Sequence, residues 1–214
     1  MGTKKIAVID YDSGNLRSVQ KALESVGADA VLTRDPGLIR EAAAVVLPGQ
    51  GAFLDCMTKL EKFGLLDPVR ERIDADAPFF GICVGYQLLF EESEEHGITP
   101  GLGVFKGRVI RFPHEMELSG ARLKVPHMGW NALRKKKDVD VLKDVKDGDH
   151  VYFVHSYYPV PEDASIVATV TDYGLEFASS VARGNLFACQ FHPEKSQRVG
   201  IRMRKAFRDK VEGL

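Results

Sequence analysis

The chain has 214 residues, 44% apolar and 28% charged, with a formal net charge of −1, enough apolar material for 1–214 to fold as a single domain. Opposite charges nearly cancel, and the one dense basic run, Arg134-Lys135-Lys136-Lys137, is closely followed by Asp138 and Asp140, which argues against a nucleic-acid partner. No apolar stretch approaches the about 20 residues that span a bilayer and no signal-peptide core precedes a cleavage site, so the expectation is a cytoplasmic protein without a membrane partner.

In chain order, Lys5-Ile6-Ala7-Val8-Ile9-Asp10 reads as a buried first strand. Ser13 can cap the helix that follows, whose Leu16, Val19, Leu23 and Val26 recur at helical spacing until Gly27 stops it. Strands are predicted at 30–33 and 43–47, the second running into the glycine-rich turn Pro48-Gly49-Gln50-Gly51-Ala52-Phe53. Helical patterns cover about 53–63 and 68–73. The segment Phe79-Phe80-Gly81-Ile82-Cys83-Val84-Gly85-Tyr86-Gln87 then sets a cysteine between glycines at the end of an apolar strand, with the following helix predicted to run through Glu92. Such alternation predicts an α/β fold: an open, largely parallel sheet flanked by helices. Beyond Gly101 the pattern shifts to short strands at 103–112, 151–154, 166–170, 177–181 and 186–190, several separated by turn residues. An additional antiparallel strand region in the C-terminal half is therefore expected. A closing helix over about 195–210 carries Val199, Met203, Ala206 and Phe207 on one face.

The chemistry centres on Cys83. A reactive side chain at a sharp strand-to-helix turn needs glycines around it, because neighbouring Cβ atoms would clash. The first helical N–H groups are unpaired and aimed at the sulfur, where they favour negative charge on it and on an oxyanion. Gln190-Phe191-His192-Pro193-Glu194 offers the base. If that segment stays extended, as Pro193 favours, His192 and Glu194 project to one side and the carboxylate orients the imidazole. A cysteine, a histidine and an acidic orienter form a triad for acyl transfer whatever their chain order. The turn after the 43–47 strand can bring a second backbone donor close to a ligand. Cys56 and Cys189 read as packing residues, and three cysteines without paired spacing make neither a disulfide framework nor a zinc site. His127 and His155 lack helical metal-ligand spacing, so no metal is expected.

Together Gly81-x-Cys83-x-Gly85-x-Gln87 and His192-Pro193-Glu194 resemble the class I, or triad, glutamine amidotransferases along nearly the whole chain. The resemblance implies a glutaminase without a cofactor: Cys83 attacks the glutamine carboxamide, His192 shuttles the proton, Glu194 orients His192, and the backbone N–H groups of Gly51 and Val84 hold the oxyanion. It further implies that Gln87, Glu95 and the backbone of Ser156 and Tyr157 bind the amino-acid end of glutamine. Glu95 also reads as part of a solvated acidic face, and Ser156 and Tyr157 as the end of a strand. Three segments, Tyr11-Asp12-Ser13-Gly14-Asn15-Leu16-Arg17-Ser18-Val19, the 48–53 turn and Pro126-His127-Met128-Gly129-Trp130-Asn131, resemble the amidotransferase subunits of imidazole glycerol phosphate synthases. Asp12-Ser13 departs from the small or apolar pair common there, and Tyr86 stands where Met is common. This narrower resemblance implies a heterodimer with a separate TIM-barrel cyclase, contacted by Asn15 and Trp130. Helix capping for Asn15 and core packing for Trp130 are the alternatives. Subunits of other synthases, and a noncatalytic partner of the same fold, are the rival readings.

Overall fold

The computed structural model describes residues 4–118 and 121–213. Up to the elbow cysteine the chain alternates β1 (Lys5–Ile9), α1 (Leu16–Glu24), β2 (Asp29–Thr33), α2 (Pro36–Glu41), β3 (Ala44–Gly49), α3 (Phe53–Lys62), α4 (Leu66–Asp74) and β4 (Phe79–Cys83). There follow α5 (Val84–Gln87), β5 (Phe90–Ser93), β6 (Thr99–Pro100), β7 (Phe105–Arg111), β8 (Glu117–Leu118), β9 (Ala121–Arg122), β10 (His127–Ala132) and β11 (Arg134–Lys135). The chain closes with β12 (His150–His155), β13 (Tyr157–Pro161), β14 (Val167–Asp172), β15 (Glu176–Arg183), β16 (Leu186–Cys189) and α6 (Gln197–Gly213).

The main sheet has the order β11-β14-β15-β16-β4-β3-β1-β2. Its β2, β1, β3, β4 and β16 run parallel, and β15, β14 and β11 extend it antiparallel. This is the largely parallel sheet with an antiparallel addition that the strand pattern predicts. Every residue of β3, β4 and β16 is buried, as strands covered on both faces must be. A smaller sheet, β13-β7-β5-β6, and the antiparallel pair of β10 with β12 stand beside it.

Register collects the chemistry. Gly49 of β3 lies opposite Cys83 of β4, and Cys189 of β16 lies opposite Ile82. Parallel pairing thus brings the 48–51 turn, the elbow and the 190–194 segment to the same end of three adjacent strands, where open α/β sheets bind ligands.

Two expectations are corrected here. The helix after Cys83 is a single turn ending at Gln87, not a helix through Glu92. Leu88, Leu89 and Phe90 are fully buried, and their carbonyls accept from the N–H groups of Leu102, Val104, Phe105 and Gly103. With those acceptors taken, the helical ladder cannot continue. Ser13 does not cap α1 either. Asn15 occupies the N-cap position at φ 67° without a capping side-chain bond, and the Ser13 hydroxyl is spent elsewhere.

Candidate active site

Cys83 turns the chain at φ 56° and ψ −113°, a region a residue with a Cβ enters only when its surroundings hold it there. Gly85 makes the turn possible: a Cβ on it would lie 1.9 Å from the Leu47 carbonyl oxygen of β3. Only a glycine lets α5 rest on the sheet so closely. Because α5 is only four residues long, few peptide dipoles align behind the sulfur, and an anion there relies on the local N–H groups at the start of the turn. Cys83 lines a cleft of about 330 Å³ together with Gln50, Gly51, Val84 and His192.

The 192–194 segment does not stay extended. His192 itself is extended, but Pro193–Lys195 forms a 3-10 turn. The carboxylate nevertheless reaches the ring, with Glu194 Oε1 2.8 Å from His192 Nδ1 and both side chains almost fully buried. That acceptor fixes the proton on Nδ1 in the neutral ring, so Nε2, buried and without a hydrogen-bond partner among the described residues, is left to face chemistry. Burial alone would push the imidazole down. The opposing charge of Cys83, with the hydrogen bond and charge of Glu194, outweighs it and carries His192 up to about 10.

Burial pushes the Cys56 thiol up to about 11 and holds the Cys189 thiol well above its ordinary range. Both should stay protonated and inert, and neither lines the cleft. Iodoacetamide at neutral pH is therefore expected to alkylate Cys83 and to spare Cys56 and Cys189 until the protein is denatured. Peptide mass spectrometry checks this, and equal labelling of the three would contradict it.

Residues of the opening turn support this centre. The Tyr11 hydroxyl donates to the Pro48 carbonyl at 2.6 Å. Ser13 Oγ accepts from the Gln50 N–H at 2.8 Å and donates to the Gln50 carbonyl at 3.2 Å. These bonds hold the turn that presents Gly51, whose φ of +105° is glycine territory. Asn15 Nδ2 donates to Glu194 Oε1 at 2.7 Å, a contact neither capping nor an interface role foresaw. Gln190 was also missed as an individual residue: fully buried, it offers Nε2 to Cys83 Sγ at 3.8 Å and accepts from Gln87 Nε2 at 3.0 Å. Its signal was its place two residues before His192.

Gln87, Glu95, Ser156 and Tyr157 all line the same cleft. Gln87 Nε2 also donates to the Tyr157 carbonyl at 3.1 Å. Glu95 Oε2 accepts from the Phe53 N–H at 2.7 Å, so its carboxylate serves the first turn of α3, which has no side-chain cap of its own. Trp130 is 45% exposed on β10, beside an exposed Met128, with its ring edge-on to Tyr152. Among the described residues, no cluster of three or more His, Cys, Asp and Glu has metal-holding geometry, and no helix is long and apolar enough to cross a membrane.

Residues 7–208 match the family model for glutamine amidotransferase class-I. Over 95% of its length the chain is 52% identical to the imidazole glycerol phosphate synthase subunit HisH of Syntrophotalea carbinolica, covering 99% of that protein. It is 50% identical to the HisH subunit of Aquifex aeolicus, over 98% of this chain and 99% of that one. Among solved structures, PurLQS from Thermotoga maritima superposes with a TM-score of 0.73 at 16% identity, covering 99% of both chains, a likeness of fold.

Proposed function

This chain belongs to the glutamine amidotransferase class-I family, and from that premise we propose that it is the glutaminase subunit of an imidazole glycerol phosphate synthase, releasing ammonia from glutamine for a partner subunit. The observation that carries the reading is one cleft lined by Cys83 and His192, with Glu194 on the far imidazole nitrogen at 2.8 Å, in a chain so similar to HisH subunits along its length.

In this reading the Cys83 thiolate attacks the side-chain carboxamide carbon of glutamine. The negative charge that develops on oxygen is held by the Gly51 and Val84 N–H groups, and each such donor is worth roughly 100- to 1,000-fold in rate. As the C–N bond breaks, His192 Nε2–H gives its proton to the leaving nitrogen, which departs as ammonia. A γ-glutamyl thioester remains on Cys83. Water then attacks it, its proton going to His192 Nε2, and glutamate leaves as the thiolate reforms. Glu194 keeps Nδ1 protonated and the ring aimed throughout. Gln87, Glu95 and the backbone of Ser156 and Tyr157 hold the amino-acid end of the substrate, which rejects amides lacking it.

The whole chain is one glutaminase domain working in the cytoplasm, without cofactor. Its partner is a TIM-barrel cyclase that uses the ammonia to form imidazole glycerol phosphate and an aminoimidazole carboxamide ribotide in histidine biosynthesis. Exposed Trp130 and Met128 on β10 supply apolar interface area of the kind that anchors partners. The test is glutamate release by this chain alone, with the purified cyclase, and with cyclase plus its nucleotide substrate. Strong stimulation in the last mixture is expected. Hydrolysis that the cyclase and nucleotide leave unchanged would assign the chain to another synthase.

A further inference from the structure

Behind Ser156 and Tyr157 runs a line of hydrogen bonds that the hydrolysis described above does not use. His155 Nδ1 lies 2.8 Å from the Tyr157 carbonyl oxygen, which can only accept, so Nδ1 carries the proton. Nε2 of His155 is then an acceptor, and it lies 3.0 Å from His127 Nδ1, which must donate. The remaining nitrogen, His127 Nε2, is an acceptor 3.3 Å from Asn131 Nδ2. Each bond dictates the tautomer of the next ring, and a second proton on either ring would set two donors face to face. Both rings are buried, and His127 is stacked between Tyr173 and Phe153. Burial, reinforced at His155 by its neighbour His127, holds His127 down at about 4 and His155 at about 3, so both are neutral at pH 7.

The line ends on the wall of the cleft. The Tyr157 carbonyl accepts from both His155 Nδ1 and Gln87 Nε2, and the Ser156 carbonyl accepts from the Phe112 N–H at 3.0 Å. Both carbonyls are tied from within the protein, so neither can swing without stranding a buried donor.

We propose that His127 and His155 form a positioning relay for glutamine: a neutral pair, each ring in the Nδ1–H tautomer, that clamps the Tyr157 carbonyl and so sets the backbone facing the amino-acid end of the substrate. The relay rests on the glutaminase reading for its consequence, but its protonation state does not. It also joins the cleft wall to β10, the strand that carries Met128 and Trp130.

Two measurements test it. Imidazole ¹⁵N NMR of the intact chain at pH 7 is expected to show both rings neutral and Nδ1-protonated, with coupling between His127 Nδ1 and His155 Nε2. An Nε2–H tautomer or a charged ring at either position overturns the proposal, and this measurement needs no variant to fold. In the assembled complex, His127→Phe keeps the stacked ring but removes both nitrogens. It is expected to raise KM for glutamine about tenfold with kcat changed by less than about twofold, because a buried acceptor on His155 loses its donor. His127→Asn, whose amide reaches the Nδ1 position, should stay within about threefold of the parent KM. Unchanged KM in the phenylalanine variant, a loss confined to kcat, or an asparagine variant no better than phenylalanine overturns the relay. No glutamine hydrolysis by the parent complex would instead sink the glutaminase reading, and the tautomer measurement would still decide the pair.

Discussion

Replacing Cys83 by alanine is expected to lower glutamine hydrolysis by at least about 10⁴-fold while the assembled synthase still turns over with free ammonium. The two halves of this result come from different parts of the molecule. Hydrolysis needs a nucleophile at the elbow, and among the three cysteines only Cys83 lines the cleft with His192. Use of supplied ammonia needs only the partner's chemistry and an intact assembly. Alanine is smaller than cysteine, and the glycine that lets α5 lie on Leu47 is untouched, so the fold should survive. Steady-state assays with glutamine and with ammonium, run side by side, check the prediction. Retention of glutamine-dependent activity would remove Cys83 from the mechanism, and loss of both activities would point to a damaged complex.

Glu194→Gln should cost about 10²- to 10⁴-fold in the same glutamine assay. The amide oxygen can still accept from His192 Nδ1 and Asn15 Nδ2, the two donors that Glu194 Oε1 serves. What disappears is the negative charge that, with Cys83, carries His192 up to about 10. The sign follows: with that support removed the imidazolium loses its proton at lower pH, so the basic limb of the pH–rate profile should move toward acid. A variant within about tenfold of the parent and with an unmoved limb would show that the carboxylate orients nothing of consequence.

The parallel core and the elbow were legible because their signals are local: apolar strand, glycine, nucleophile, glycine, then a helical turn. The length of α5 was not, since it depends on carbonyls of Leu88, Leu89 and Phe90 being claimed by residues 102–105, beyond any local pattern. Ser13 and Asn15 show local preference overridden by tertiary contact. Each is a good capping residue by type, yet one hydroxyl clamps Gln50 and the other side chain reaches Glu194, 179 positions away. For Glu95 the acidic run suggested a solvated face, and only the fold reveals that its carboxylate meets the start of α3. His127 and His155, 28 residues apart, become a pair only through the β10 and β12 register.

The most direct measurement of the central claim is peptide mass spectrometry after rapid acid quench of the complex turning over glutamine. A γ-glutamyl group on the peptide that carries Cys83, and on neither the Cys56 nor the Cys189 peptide, is the predicted result. A glutamyl group on another residue, or an acyl-enzyme that persists in Cys83→Ala, would contradict it.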